Sequence, residues 1–123
     1  MRNSKKGLIN IKNEDNKCFL WCHIRHLNSV KHHAERITTN DREFVQKLNY
    51  SGITFPVQIK DVEKIEKQNS INTNIVGYYD NRIYPVRVSR EKYDDQMELL
   101  YITEENKNEK TKSHYVCIKD FTV

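Results

Sequence analysis

A change in residue pattern near the middle of the chain constrains the fold more than any other feature of this sequence. The first half carries apolar residues at helical spacing, whereas the second half holds four segments rich in Val, Ile and Tyr, at 73–79, 83–89, 97–103 and 113–119. Such segments predict β-strands, and Asp80-Asn81 between the first two predicts a tight hairpin turn. Helices followed by strands indicate an α+β fold with a mostly antiparallel sheet.

Three helices are predicted in the first half. The first covers residues 17–27 and has an apolar side and a mixed side. The apolar side holds Leu20, Trp21, Ile24 and Leu27, and the other side holds Cys18, Cys22, Arg25 and His26. A second helix follows a cap at Asn40-Asp41, and a third covers residues 60–68. Residues 51–59 are expected to form a loop or short edge segment, because Pro56 cannot donate to a strand ladder.

The length and charge of the chain limit its class. Its 123 residues are the size of one domain, so we expect a single domain over 1–123 with a frayed lead at 1–7. Lys and Arg number 21 against 17 Asp and Glu, and the net charge of +4 excludes a histone-like binder but leaves weak nucleic-acid binding open. No run of residues approaches signal-peptide or membrane-span length, so no membrane partner is expected. Three cysteines, an odd number, favour a reduced intracellular compartment, cytoplasmic or nuclear.

Cys18 is the candidate nucleophile. It opens the first predicted helix just after the expected cap, where unpaired N–H groups and the helix dipole stabilise a thiolate and lower the thiol pKa. It also lies off the apolar side of that helix. The alternative is that Cys18 is a small residue filling a gap in the core, since free cysteines are often buried.

His114 is the candidate general base and acid, because it opens an otherwise apolar strand. Asp120 is the nearest acid that could orient the imidazole, although six residues of extended strand span roughly 20 Å, so the chain would have to turn back. An acid or amide on a neighbouring strand, or no third residue, is the alternative. The expected oxyanion donors are the Cys18 N–H and side chains just before it, with Asn13 and Asp15 as candidates.

A zinc site competes with this thiol chemistry. Cys18, Cys22 and His26 recur along one helix side, and His114 and Cys117 are further possible ligands. Three ligands over two helical turns spread along roughly 12 Å. One ion could therefore take two ligands from the helix and two from the strand, but not all three from the helix.

Three long stretches carry a first resemblance: GLINIKNEDNKCFLWCHIRHLN (7–28), DREFVQKLNYSGITFPVQIKDVEKIEKQNSINTNIVGYYDN (41–81) and LLYITEENKNEKTKSHYVCIKDF (99–121). Together they resemble a segment of proteins from self-synthesising DNA transposons of the Polinton/Maverick type. In those proteins the segment lies upstream of a zinc-binding stretch and a B-family DNA polymerase. The resemblance covers nearly the whole chain, but the chain contains no polymerase motif, so polymerase activity is not implied.

Two short motifs carry a second resemblance. Residues 15–20 (DNKCFL) resemble the start of the catalytic helix in OTU-type deubiquitinases. His114-Tyr115 resembles the His-aromatic pair of several deubiquitinase families, including herpesviral large-tegument-like ones. The resemblance implies a papain-like fold in which Tyr115 gates the cleft, so that only Gly fits one residue before the scissile position. The chain departs from papain itself in having Cys-Phe-Leu in place of small residues and no Gln at the usual oxyanion distance.

The sequence therefore predicts a small papain-like cysteine peptidase, a deubiquitinase that needs no cofactor and no metal. Its partner would be ubiquitin or a ubiquitin-like protein with a Gly-Gly tail. Cys18 would attack the carbonyl, His114 would take and return the proton, and the thioester would be hydrolysed. The alternatives are a zinc-stabilised interaction domain and a non-catalytic transposon module that binds nucleic acid through the basic segment 23–36. That segment would otherwise be a solvated surface.

Overall fold

The structure is a computed structural model that describes residues 7–13, 15–104 and 112–119. Its helices are α1 (Cys18–Leu27), α2 (Thr39–Phe44) and α3 (Val62–Asn69), with short 3-10 turns at Val45–Lys47 and Ile59–Asp61. Its strands are β1 (Leu8–Ile9), β2 (Ile71–Tyr79), β3 (Arg82–Arg87), β4 (Asp95–Glu104) and β5 (Lys112–Ile118). This arrangement confirms the α+β class. No helix among these residues combines the length and apolar composition needed to cross a bilayer.

The strands form one mixed sheet in the order β1-β5-β4-β2-β3. All four strands predicted in the second half are present. The hairpin turn is also confirmed, because Asp80 and Asn81 have φ values of 54° and 62°, as a type I′ turn requires. Three of the four strand pairs are antiparallel, as predicted, but β2 and β4 run parallel, with Ile75 opposite Leu99. After the hairpin, the chain crosses over β2 to reach β4 on its other side.

Two asparagine side chains hold the crossing segment over β2. The Asn72 amide donates to the Tyr93 carbonyl at 3.2 Å and accepts from the Tyr93 N–H at 3.0 Å. Asn74 accepts from the Ser89 N–H at 2.7 Å and donates to Glu98 at 3.0 Å. These bonds satisfy main-chain groups that the crossing segment cannot pair with a strand. They also account for polar side chains at alternate positions of β2.

β1 is a short strand that the sequence does not predict. It pairs Leu8 with Ile118 and Ile9 with Cys117, along the free side of β5. The Gly7 carbonyl accepts from the Lys119 N–H at 2.6 Å. The frayed lead predicted over residues 1–7 is therefore wrong for Gly7, and residues 1–6 lie outside the described residues.

α1 lies in the centre of the fold and is buried on nearly all sides. Every residue from 19 to 25 is buried, including Cys22 and Arg25 from the side predicted to be mixed. Leu27, which was predicted on the apolar side, is 40% exposed. The prediction that α1 has one apolar side and one mixed side is wrong, because β5 covers one side of α1 and α2 packs near another. The core cluster lies between the helices and one face of the sheet.

The start of α2 differs from the prediction by two residues. Thr38 is the cap, because its side chain accepts from the Asp41 N–H at 3.2 Å while Asp41 accepts from the Thr38 N–H at 2.9 Å. This capping box leaves the predicted cap residue, Asp41, at the third position of the helix. α3 confirms the third predicted helix, and a 3-10 turn precedes it.

A buried ion pair joins α1 to α2. Arg25 is 4% exposed and Asp41 is 1% exposed, and two hydrogen bonds of 2.7 Å join the guanidinium to the carboxylate. Burial acts to raise the pKa of Asp41, but hydrogen bonds from Arg25, the Thr38 N–H and Asn28 hold this pKa at about 2. The Asp41 carboxylate therefore stays charged inside the protein at neutral pH.

A second ion pair joins α3 to β3. Glu66 is fully buried and accepts from both Nη atoms of Arg87, at 2.9 and 2.8 Å. The same carboxylate accepts from the Thr73 N–H at 2.7 Å, and Arg87 also donates to the Thr73 carbonyl at 2.9 Å. The pairing of β2 with β3 shifts register between Ile75 and Val76. Near this shift, the Glu66 and Arg87 side chains bind the main-chain groups of Thr73 in place of strand-to-strand hydrogen bonds.

Replacing Arg25 with Met should destabilise the protein by about 3–5 kcal/mol, because the Asp41 carboxylate would remain buried without its partner. Urea unfolding of the two proteins measures the difference. The double variant Arg25→Met/Asp41→Leu should recover part of the loss. The matched control is Glu63→Gln, which breaks the exposed Glu63–Lys67 pair and should leave the unfolding midpoint unchanged. Equal effects in Arg25→Met and Glu63→Gln would contradict this account.

Candidate functional site

The loop before α1 is organised around Asp15. Its carboxylate accepts from the Lys17 N–H at 3.0 Å, from the Asn13 amide at 2.9 Å and from the Trp21 indole at 3.2 Å. Burial acts to raise the pKa of Asp15, but these hydrogen bonds hold the pKa below its ordinary value. Asp15 is therefore a charged acceptor, which cannot donate to an oxyanion and would repel one. The Asn13 side-chain amide donates to the carbonyl and the carboxylate of Asp15. The structure therefore does not support Asn13 or Asp15 as an oxyanion donor.

Cys18 is the first residue of α1, as predicted, and its thiol is half-buried against β5. The sulfur accepts from the Tyr115 N–H at 3.4 Å. β1 pairs with β5 only as far as Ile9, which lies opposite Cys117. The Tyr115 N–H, two residues further along β5, has no partner in β1 and donates to the Cys18 sulfur instead. Cys18 therefore completes the edge of the sheet, which is a structural role.

The pKa of Cys18 is raised, whereas the sequence predicts that it is lowered. Burial is the largest cause, and it outweighs the hydrogen bonds from the N–H groups of Tyr115, Phe19 and Cys18 itself. The charge of Asp15 raises the pKa further. The prediction from helix position is wrong because it counts the N–H donors and omits desolvation.

His114 and Tyr115 lie on opposite faces of β5. Side chains alternate along a strand, and the pairing of β5 with β4 is regular from Lys112 to Ile118. Tyr115 faces α1, because its ring packs against Phe19 with centroids 5.0 Å apart. His114, one residue earlier, therefore points to the other face of the sheet. The Cys18 sulfur lies at the edge of β5, against the N–H of the residue that follows His114, and the approach of the two predicted catalytic side chains stays a prediction.

Tyr115 lies in the core and not over a groove. Its side chain is 3% exposed, and its hydroxyl donates to the Val57 carbonyl at 2.9 Å. Burial raises the pKa of this phenol far above its usual range. The structure thus corrects the gate prediction, because a regular strand turns Tyr115 inwards under α1. Asp120, the predicted third catalytic residue, lies outside the described residues.

The other two cysteines are buried between α1 and β5. The Cys22 thiol donates to the Tyr115 carbonyl at 3.5 Å, and the Cys117 thiol lies 4.0 Å from the Cys22 carbonyl. Burial raises the pKa of Cys22 well above its ordinary value and that of Cys117 to about 11. Among the described residues, no three His, Cys, Asp or Glu side chains are grouped as a metal ion would require. The arrangement therefore gives no support to the zinc alternative.

Two members of the basic segment 23–36 are interior residues. His23 is 1% exposed, and its Nδ1 lies 2.7 Å from the Tyr50 hydroxyl. Arg25 is committed to Asp41, as described above. His26 is half-buried and its Nε2 lies 2.8 Å from an Asp95 oxygen. These residues were candidates for phosphate contacts, and tertiary packing removes them from that role.

The structure forms a basic surface that shares only Arg36 with that segment, and we call it the cationic groove. It is an open cleft of about 610 Å³ lined by Lys12, Asn13, Asp15, Arg36, Ile37 and Arg42. The Arg42 guanidinium lies over the Trp21 ring, 5.6 Å from its centroid. The Lys12 N–H donates to the Glu35 carbonyl at 2.7 Å and so joins the two sides of the groove. The sequence does not reveal this surface, because Lys12 is 24 residues from Arg36 and no local pattern indicates that it meets Arg36 and Arg42.

Comparisons with known proteins identify no family for this chain. A scan against protein-family models, a search of curated proteins and a search of solved structures each found no match. A function must therefore rest on the chemistry of the site itself.

Cys18 should react slowly with iodoacetamide at pH 7, because its raised pKa leaves little thiolate at that pH. The measurement is the alkylation rate from pH 6 to 10, with the modified cysteine identified by peptide mass spectrometry. We expect a rate below that of glutathione at pH 7 that still rises above pH 9. A rate that levels off below pH 7 would contradict this prediction and indicate an activated thiolate.

The protein should lose stability as the pH falls from about 6.5 to about 4, partly because of His23. Burial lowers the pKa of His23 from 6.5 to about 4 in the folded protein, so the unfolded chain binds more protons over this range. The stability is present above pH 6.5, and the loss amounts to about 3 kcal/mol for this shift. Urea unfolding at several pH values measures it. The variant His23→Gln should show a shallower slope between pH 4 and 6.5, and an identical slope would exclude this role of His23.

Proposed function

We propose that the protein is a non-catalytic binding module that holds the phosphate backbone of a nucleic acid in the cationic groove. The observation that carries the proposal is the convergence of Lys12, Arg36 and Arg42 on one concave surface. Clustered Lys and Arg side chains bind phosphates by releasing the counterions that surround a nucleic acid. The net charge of the chain, +4, favours the same class of partner.

The electrostatics of the groove favour an anion. Among the described residues that line it, Asp15 is the one carboxylate, and it already accepts hydrogen bonds from Lys17, Asn13 and Trp21. The Arg36 Nε also forms an exposed ion pair with Glu35 at 3.8 Å, which is longer than a hydrogen bond. The described side chains of the groove and its rim therefore carry three cations against two carboxylates, and the cations have donors that a phosphate group can use.

The Arg42–Trp21 contact gives the groove a defined geometry. A guanidinium stacked on an indole face keeps its N–H edge free, and that edge matches the oxygens of a phosphate. The ring below is itself fixed by its hydrogen bond to Asp15. Because the contacts are to phosphate groups, the expected binding is independent of base sequence.

The sequence resemblance supports a nucleic-acid partner. Nearly the whole chain resembles a segment that lies upstream of a DNA polymerase in Polinton/Maverick proteins. A module next to a polymerase could hold the phosphate backbone of the template strand close to the polymerase. The proposal keeps Arg36 from the segment 23–36 and adds Lys12 and Arg42, because His23 and Arg25 are buried.

A papain-like cysteine peptidase acting on ubiquitin-type tails is the second candidate. The observation that favours it is the place of Cys18 at the start of α1, with its sulfur 3.4 Å from the Tyr115 N–H. His114 is the general base that this candidate needs, and its imidazole would have to reach the sulfur around the edge of β5. The alkylation profile of Cys18 separates the two candidates, and covalent capture of Cys18 by an electrophilic ubiquitin probe would support the peptidase.

The protein should bind a fluorescein-labelled single-stranded DNA with a dissociation constant of about 1–100 μM at low salt. Fluorescence anisotropy measures the affinity between 20 and 200 mM NaCl. Three phosphate contacts predict a slope of log K against log salt of about −2, and Arg36→Gln or Arg42→Gln should each make the slope shallower by about 0.7. Trp21 is the single tryptophan, so its fluorescence should change on binding and report on the groove itself.

The matched control is Lys92→Gln, which removes the same charge from an exposed lysine in the segment between β3 and β4. It should leave the salt slope and the change in Trp21 fluorescence unaltered. An equal loss of affinity in Lys92→Gln and Arg42→Gln would mean that net charge alone attracts DNA. The absence of any saturable binding would contradict the proposed function.

A further inference from the structure

A cleft smaller than the cationic groove lies at the end of α1, beside the paired strands β1 and β5. Its volume is about 210 Å³. His26 and Ser29 line it from the helical side, and Ile9 and Ile118 line it from the strands. Because a water molecule takes up about 30 Å³ in the liquid, the cleft has room for about seven waters. It is smaller than the roughly 300–1,000 Å³ of pockets that hold drug-sized ligands, so it suits a small ligand.

The charges around this small cleft favour an anionic group. The described residues that line it include the cations Arg25 and Lys119 and no carboxylate. Their field reaches the wall of the cleft at Cys117: burial raises the pKa of that thiol to about 11, whereas the charges of Arg25 and Lys119 act to lower it. The Arg25 donors are all used inside the protein, so Lys119 is the cation whose donors can bind the anion. The Ser29 hydroxyl is a second donor.

His26 adds an acceptor to the small cleft. Its Nε2 lies 2.8 Å from an Asp95 oxygen, and a carboxylate can only accept, so Nε2 is the protonated nitrogen of the neutral ring. Nδ1 then has a lone pair, and it has no hydrogen-bond partner within the part of the chain that the structure describes. The imidazole can therefore accept from a ligand hydroxyl. An ammonium group is also a donor, but the charges of Arg25 and Lys119 repel it.

We propose that the small cleft binds a small hydroxycarboxylate, an acid whose hydroxyl group is on the carbon next to the carboxylate. Lys119 and Ser29 bind the carboxylate, and the His26 Nδ1 accepts from the hydroxyl. Ile9 and Ile118 contact the short carbon chain. The site shares no lining residue with the cationic groove, so the proposal is independent of nucleic-acid binding.

Three acids of the same size test the proposal. Lactate carries a hydroxyl on the carbon next to the carboxylate, propionate carries hydrogen there, and alanine carries an ammonium. Amide chemical shifts of the 15N-labelled protein, followed up to about 50 mM of each acid, measure the three affinities. The shifts on lactate binding should be largest at Ser29, Ile118 and Lys119, which line the cleft.

Lactate should bind with a dissociation constant of about 1–10 mM, as expected for so small a ligand. Propionate should bind about fivefold more weakly, because it leaves the His26 acceptor unpaired, and alanine should not saturate. Lys119→Gln should weaken lactate binding about tenfold and Ser29→Ala about threefold. The matched control is Lys60→Gln, which removes the same charge from an exposed lysine in the turn Ile59–Asp61 and should leave the affinity unchanged.

Three results would overturn the proposal. The first is the absence of saturable shifts with lactate. The second is equal affinity for lactate and propionate, which would mean that no acceptor reads the hydroxyl. The third is equal weakening by Lys60→Gln and Lys119→Gln, which would mean that net charge alone attracts the acid. The salt slope of DNA binding should be the same in Lys119→Gln and the unmodified protein, so a failure of the small cleft remains separate from a failure of the groove.

Discussion

The guanidinium of Arg25 organises the first half of the protein. All of its donors are used: Nε donates to the Ala34 carbonyl, Nη1 to Asn28 and Asp41, and Nη2 to the Arg36 carbonyl and Asp41. One buried side chain thus fixes the segment after α1 and the start of α2. The groove depends on it, because Arg36 belongs to that segment and Arg42 follows Asp41. Arg25 thus positions Arg36 and Arg42, whereas its own donors are all used inside the protein and none is left for a phosphate.

Polar side chains have a similar role in the second half. Asn72 and Asn74 hold the segment that crosses β2, and Glu66 with Arg87 replaces strand bonds near the register shift. These contacts let the chain place β4 parallel to β2. Their energetic weight follows from burial, since an unpaired main-chain or charged group inside a protein costs far more than an exposed one. The parallel placement of β4 beside β2 therefore depends on hydrogen bonds from the side chains of Asn72, Asn74, Glu66 and Arg87.

The candidate thiol shows how strand geometry limits inference from sequence. Cys18 at a helix start and His114 in an apolar strand are both unusual for their elements, and each is where the sequence places it. The alternation of side chains along β5 turns Tyr115 inwards under α1 and His114 to the other face, while the Cys18 sulfur lies at the edge of the strand. A shift of one residue in that strand would exchange the two faces. The pair of residue types could be read from the sequence, but the direction of each side chain could not.

The sequence by itself determined the α+β class, the helix at Cys18–Leu27, the four later strands and the hairpin at Asp80-Asn81, because these depend on local periodicity and turn preferences. The tertiary structure alone decided the parallel pairing of β2 with β4, the burial of Arg25 and the assembly of the cationic groove. Each of these joins residues that are distant in the chain, through contacts that local preferences do not encode. It also decided the acidity of Cys18, since the desolvation of a thiol depends on everything packed around it.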